Sequence, residues 1–414
     1  MTTTSGLGIS HSELKRLGGQ HTAMEIARQP KLWLETYEAL CQQQHTIQAY
    51  IQDSYMHPDL RIILTGAGSS AFIGNILQGT FQQYTQRNVY AVATTDLVSH
   101  PLLYLNPSAP TLLISFGRSG NSPESMAAVE LADQICENCL HFFITCNPYG
   151  QLALKSRNSK KCFLFTLPAA AEDQSLAMTG SFTSMLLTGL LLPRIHELDN
   201  LKEQVKTLAD YGERILHVYA DKLRDVAKLD FKRAVFLGSG PLLGVARESQ
   251  LKLQELTDGR VICKYDSFLG LRHGPKAVID PSTLLVYLFS NNPYAHQYEI
   301  DLVDAINRGE KGMFQLGISE SKAVSFPLDL QISLSEDQKK IEEAFLSVCH
   351  VLPSQLLGFY KSLDLGLQPD MPSVNQAITR VVQGVAIYPF PSSNKLKEIA
   401  NAGRDENTRR NGSR

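Results

Sequence analysis

Two Gly/Ser turns, a pair of carboxylates and one histidine are the residues here whose types and spacing could do chemistry. The stretch Ile114-Ser115-Phe116-Gly117-Arg118-Ser119-Gly120-Asn121-Ser122-Pro123-Glu124-Ser125 follows the apolar run 111–114 and leads into the helix-forming run 126–132. It reads as the end of a strand, a turn and the start of a helix. At a helix start the backbone N–H groups are unsatisfied, the macrodipole is positive and nearby hydroxyls add donors without bulk, so an anion is well placed there. Ser122 has the place of the N-cap and Pro123 that of the first helical residue. Ser-Pro-Glu also opens many ordinary helices, but a cap needs one hydroxyl and here three serines surround two glycines, which favours phosphate. Arg118 would add charge beside it, with plain surface solvation as the alternative. A second such turn, Gly66-Ala67-Gly68-Ser69-Ser70, follows the apolar run 61–65. Neither turn carries the third glycine of a dinucleotide fingerprint, and no Gly-Lys-Ser/Thr is present. A small phosphorylated ligand is therefore preferred to NAD or ATP.

The carboxylates lie further along, in Arg247-Glu248-Ser249-Gln250-Leu251-Lys252-Leu253-Gln254-Glu255-Leu256-Thr257-Asp258-Gly259. Glu248 and Glu255 are one heptad apart and share a helix face. Most helical glutamates are solvated surface groups. Glu255, however, sits close to the Gly259 stop, where the helix dipole disfavours a carboxylate, and that is a mild hint of use. His273, in Leu269-Gly270-Leu271-Arg272-His273-Gly274-Pro275, lies in a turn with its ring free to project. A lone histidine is usually structural; this context favours a proton carrier near neutral pH.

The elements that must position these groups read as follows. Residues 10–58 have helical spacing and predict a helical extension that packs on the first domain or on a partner subunit. Short, nearly continuous apolar runs at 61–65, 89–93, 111–114, 141–145 and 162–166 alternate with helical segments, which predicts a parallel sheet covered on both faces. Helical runs at 176–192 and 201–229 close this unit. The pattern then repeats from Arg233-Ala234-Val235-Phe236-Leu237-Gly238-Ser239-Gly240, with strands at 261–265, 283–289, 313–316 and 328–332 and helices around 297–307 and 339–360. The copies are unequal: where the first has its serine turn, the second has Ser290-Asn291-Asn292-Pro293. The expected architecture is α/β, two tandem three-layer α/β/α sandwiches. Its boundaries are 1–58 for the extension, 59–205 for a phosphate-binding domain, 206–368 for a domain carrying the proton-transfer residues, and 369–414 for a Pro-punctuated tail whose end is polar.

Composition narrows the class of function. The 414 residues are 43% hydrophobic and 19% charged with a net charge of −2. That is an ordinary globular balance, which argues against nucleic acid or a membrane surface as the main partner. Residues 1–20 lack the apolar core of a secretory signal, and the most apolar stretch, 185–192, is too short to span a bilayer. Seven cysteines at irregular spacing predict reduced thiols in the cytoplasm, and Cys136-x-x-Cys139 has no second pair to complete a zinc site. No metal is expected.

Taken together, 22–33, Gly66-Ala67-Gly68-Ser69-Ser70, 118–125, Glu255-Leu256-Thr257-Asp258-Gly259, Arg272-His273-Gly274-Pro275 and Val381-Val382-Gln383-Gly384-Val385 resemble the sugar isomerase (SIS) domains. Over nearly the whole chain they resemble the family of galactosamine-6-phosphate deaminase/isomerases, also known as tagatose-6-phosphate ketose/aldose isomerases. The isomerase half of glucosamine-6-phosphate synthase is a broader relative. The resemblance implies that Ser69, Ser70, Ser119 and Ser122 hold the sugar phosphate, that Glu255 moves a proton between C1 and C2, and that His273 opens the sugar ring. It also implies a homo-oligomer, and no cofactor, because the substrate carbonyl is itself the electron sink. No glutaminase domain precedes the tandem, so amide transfer is not expected, and the synthase's C-terminal lysine has no counterpart in Arg380-Val381-Val382-Gln383-Gly384. The expected reaction converts galactosamine 6-phosphate to tagatose 6-phosphate and ammonia, in amino-sugar catabolism. A hexose 6-phosphate isomerase that loses no nitrogen is the alternative, and a non-catalytic sugar-phosphate sensor a more distant one.

Overall fold

The computed structural model describes residues 7–321, 327–337, 339–382 and 384–391. Among the described residues, ten strands form two separate five-stranded sheets, every pairing in them parallel. The first contains β1 (Arg61–Thr65), β2 (Asn88–Ala91), β3 (Thr111–Gly117), β4 (Cys139–Thr145) and β5 (Cys162–Thr166), in the order β2-β1-β3-β4-β5. The second contains β6 (Arg233–Gly238), β7 (Ile262–Asp266), β8 (Thr283–Leu288), β9 (Phe314–Ser319) and β10 (Leu330–Ser333), in the order β10-β9-β8-β6-β7. Read from the edge inward, β7-β6-β8-β9-β10 repeats the order of the first sheet, so the tandem inferred from sequence is present in the topology. Alternate residues of the second sheet enter cores on opposite faces: Ala234, Phe236, Leu284 and Val286 on one side, Val235, Leu237, Leu285 and Tyr287 on the other. This two-sided burial is why the strands read as unbroken apolar runs.

The strand boundaries of the second repeat differ from those expected by up to three residues. Its last predicted helix, 339–360, is two helices, Glu343–Cys349 and Leu352–Asp364, with Pro353 in the first turn of the second. Proline lacks the N–H that a continuous helix would need there.

The extension forms helices His11–Arg16, Gln20–Ala27 and Gln29–Met56. Trp33, fully buried, donates its indole N–H to Thr183 Oγ1 at 2.9 Å, and Tyr37 donates its hydroxyl to the Leu198 carbonyl at 2.9 Å. The two repeats meet where the Ser69–Thr85 helix crosses the Pro241–Leu256 helix. Gly244 makes that crossing close: a Cβ there would lie 2.5 Å from Ile76 Cγ1 and 2.9 Å from the Ile76 backbone nitrogen. Residues Met1–Gln383 form one compact unit; of the second, Gly384–Arg414, the described residues 384–391 contain no helix or strand.

Candidate active site

In an open parallel sheet, ligands collect at the carboxyl edge where the strand order reverses. In the first sheet that point lies between β1 and β3, because the chain goes from β1 outward to β2 and then to β3 on the other side. The turns that leave β1 and β3 are the two serine turns. Ser69 and Ser70 open their helix, and Gly68 precedes it with φ 55° and ψ −129°. Gly240 has φ 54° and ψ −128° at the same place in the second repeat. The two turns therefore share a backbone shape that only glycine adopts readily, while Pro241 and Leu242 stand where the first repeat has Ser69 and Ser70. At these two helix-opening positions only the first repeat has hydroxyls.

The turn after β3 is held rigidly. Ser122 caps the Pro123–Ile135 helix, accepting from Ser125 N at 3.2 Å, with its Oγ 2.6 Å from Ser125 Oγ. Ser119 Oγ accepts from Asn121 N at 3.2 Å, Asn147 Nδ2 donates to Ser119 O at 3.1 Å, and Gly120 takes φ 62°. Arg118 is buried, and its side chain donates to the carbonyl oxygens of Ser175 (3.1 Å), Leu176 (3.1 Å) and Arg380 (2.6 Å). Burial pulls its pKa below the ordinary arginine value. The guanidinium anchors the base of the turn to neighbouring backbone.

From the second repeat, Glu248, Lys252 and Glu255 line one face of the Pro241–Leu256 helix at i, i+4 and i+7. Glu248 and Lys252 are fully buried. The ammonium lies 3.3 Å from Glu248 Oε1 and 2.6 Å from Glu255 Oε2. Ser69 Oγ, from the first repeat, donates to Glu248 Oε1 at 3.0 Å. The line Ser69–Glu248–Lys252–Glu255 thus joins one serine turn to the carboxylate expected to act as base. Only Glu255, 22% exposed at its side chain, reaches the surface. Lys252 also explains how a carboxylate tolerates a helix C-terminus: the ammonium offsets the negative end of the dipole. Sequence reasoning paired Glu248 with Glu255 but passed over Lys252; the i, i+4 and i, i+3 spacing to opposite charges was the available signal.

His273 lies between the short helix Phe268–Leu271 and Gly274, whose φ is 114°. Its ring is exposed, and among the described residues no hydrogen bond joins it to Glu255 or to either serine turn. Among the described residues there is also no cluster of metal-ligating side chains and no helix long and apolar enough to cross a membrane.

Burial pushes the Glu248 carboxyl up to about 7, against the pull of the Lys252 ammonium. Glu25, in the Gln20–Ala27 helix, is likewise pushed up to about 7, first by burial and then by Asp173. A carboxyl whose folded pKa is raised stabilises the fold fully below its unfolded value near 4.5 and loses that contribution as pH rises through the folded value. Thermal unfolding followed by circular dichroism should therefore show a melting temperature that falls between about pH 5 and 8. Glu248→Gln should flatten this slope. An unchanged slope in the variant would remove Glu248 as its source.

The SIS domain family matches residues 55–192, which span the first sheet and the two serine turns. With the repeated sheet order, this makes the chain a tandem SIS-domain protein. The D-galactosamine-6-phosphate deaminase AgaS of Shewanella sp. (strain ANA-3) is 41% identical over 392 residues, covering 93% of this chain and 96% of that protein. The solved structure of tagatose-6-phosphate ketose/aldose isomerase from Escherichia coli is 38% identical with a TM-score of 0.83, covering 90% of this chain and 98% of that one. A Clostridium novyi protein of solved structure is 41% identical with a TM-score of 0.90, covering 93% and 99%. The chain belongs to the family of D-galactosamine-6-phosphate deaminases that includes AgaS.

Proposed function

We propose that this protein converts galactosamine 6-phosphate and water to tagatose 6-phosphate and ammonia. The observation that carries the mechanism is the buried line from Ser69 through Glu248 and Lys252 to the accessible Glu255. The serines at 69, 70, 119 and 122 and the helix starts behind them hold the phosphate, with Arg118 fixing the turn from behind. His273 assists opening of the ring to the aldehyde. The Glu255 carboxylate then takes the C2 proton, which the adjacent carbonyl acidifies, and an enolamine forms. Return of the proton to C1 gives a C1 alcohol and a C2 ketimine. Water adds at C2, ammonia leaves, and the ketose phosphate remains. The carbonyl accepts the electron pair, so the proton transfers need only a positioned acid–base group. Seven free thiols suit a reducing compartment, and we place the reaction in the cytoplasm, in a homo-oligomer.

The same shuttle without a nitrogen at C2 is an aldose/ketose isomerisation, the activity in the name of the Escherichia coli structural relative. One assay separates the two: purified protein is given galactosamine 6-phosphate or galactose 6-phosphate, and ammonia and ketose phosphate are followed together. Equimolar ammonia and ketose from the amino sugar, with slow or no conversion of the other, is the expected result. Ketose from galactose 6-phosphate with no ammonia from the amino sugar would replace the deaminase with the isomerase. Binding of the amino-sugar phosphate with no turnover of either compound would leave a sensor.

A further inference from the structure

The run 22–33 of the extension contains polar residues at Thr22, Glu25, Arg28 and Gln29, and the proton chemistry above uses none of them. All four point into the protein. Thr22 N and Oγ1 donate to Asp370 Oδ1 at 2.7 and 2.8 Å, and Gln29 Nε2 donates to Gln355 Oε1 at 2.6 Å. Arg28 lies 3.7 Å from Asp173, a fully buried carboxylate that accepts from Thr179 N and Ser181 N at 2.8 Å each. Glu25, 2% exposed, accepts from Gln174 N at 2.5 Å and Ser175 N at 3.2 Å with one oxygen, and from the Ser175 hydroxyl with the other. The carbonyls of Ser175 and Leu176 are the ones that receive the Arg118 guanidinium. At its backbone end Arg118 is equally fixed, its carbonyl accepting from Cys146 N at 3.2 Å and Thr145 Oγ1 at 3.3 Å. Ser119 is the next residue.

We propose that Glu25 is a positioning residue of the phosphate turn: its carboxylate fixes the backbone at 174–176, whose carbonyls hold Arg118 and so the Ser119–Ser122 loop. The helical extension is on this account part of the substrate site, although none of its side chains touches substrate. The role rests on the reading of that loop as a phosphate cradle. It acts through hydrogen-bond geometry. Glu25 faces Asp173 and Arg118, and removing its charge alone would leave more positive charge near the cradle, which by Coulomb's law would tighten phosphate binding.

The test compares Glu25→Ala, which deletes the acceptor, with Glu25→Gln. In the latter the amide oxygen can accept both N–H groups and the amide nitrogen can donate to Ser175 Oγ. Two readouts are used: KM and kcat for galactosamine 6-phosphate, and affinity for inorganic phosphate by calorimetry. Glu25→Ala should weaken both KM and phosphate affinity about tenfold while kcat changes less than about threefold, and Glu25→Gln should restore both to within about threefold of the wild type. Should Glu25→Ala not fold, Ser175→Ala, which removes only the hydroxyl arm, should shift both in the same direction by about threefold. The proposal is overturned by unchanged phosphate affinity and KM in Glu25→Ala and Ser175→Ala, by a glutamine variant as impaired as alanine, by tighter phosphate binding, or by a wild type that binds no inorganic phosphate. A wild type that binds phosphate but releases no ammonia would sink the deaminase reading and leave this comparison standing.

Discussion

Glu255→Gln should lower kcat for ammonia release from galactosamine 6-phosphate by about a thousandfold, the middle of the range for loss of a positioned general base. Glutamine keeps the size of the side chain, and its amide oxygen can still accept from the Lys252 ammonium, now 2.6 Å from Glu255 Oε2. Lys252 also retains Glu248 as its counter-ion. The fold should therefore survive with little change in melting temperature, and KM should stay within about threefold because the phosphate handle lies in the other repeat. Exchange of the C2 proton with deuterated solvent, followed by NMR, should be lost together with ammonia release. A variant that keeps full turnover, or that loses turnover while C2 exchange continues, would take the proton transfer away from Glu255.

Much of the framework that presents Glu255 was legible in the sequence, for physical reasons. Strands buried on both faces, such as β3 and β8, must be apolar at nearly every position, and that signal is local. The Ser122-Pro123 helix start is equally local, since a cap involves only its own first turn. The repeat was visible because β1 and β6 end in the same glycine-shaped turn, at Gly68 and Gly240. The strand ends were less legible, because the last residue of a strand is set by which neighbours it pairs with.

The directions of long charged side chains were not legible. Arg118 looks like a phosphate ligand beside three serines, but its guanidinium is aimed by carbonyls at 175, 176 and 380, which only the folded chain brings near. Glu25 reads as one more glutamate in a helical extension until the loop at 174–175 closes over it. His273 was chosen for its turn, and the turn is there, but the ring is exposed. Lys252 is the sharpest case. A lysine on an amphipathic helix is expected in water, and its burial depends on Gly244 admitting the Ser69–Thr85 helix and on Ser69 reaching Glu248 from the other repeat.

That buried position gives Lys252→Met the largest expected effect on stability. Methionine is close in length and apolar, so packing is largely kept, but Glu248 and Glu255 then share the helix face with no cation between them. Burial works against the charge of Lys252 and the two carboxylates raise its pKa in spite of it, so the lysine stays charged between them. Removing one partner of a buried ion pair costs about 3–5 kcal/mol, because the other is left uncompensated. For a chain of this size that should lower the melting temperature by about 5–10 °C. Adding Glu248→Gln removes the more deeply buried of the stranded carboxylates, and the double variant should regain much of the lost stability. Activity should not return with it. Without the ammonium at its side, Glu255 is no longer held in place, and kcat should remain at least about tenfold low in a protein that melts nearly normally. Lys252→Met melting like the wild type would mean that Glu248 takes up a proton at no cost when the lysine is gone. A double variant that recovered stability and full turnover together would show that the lysine serves folding alone.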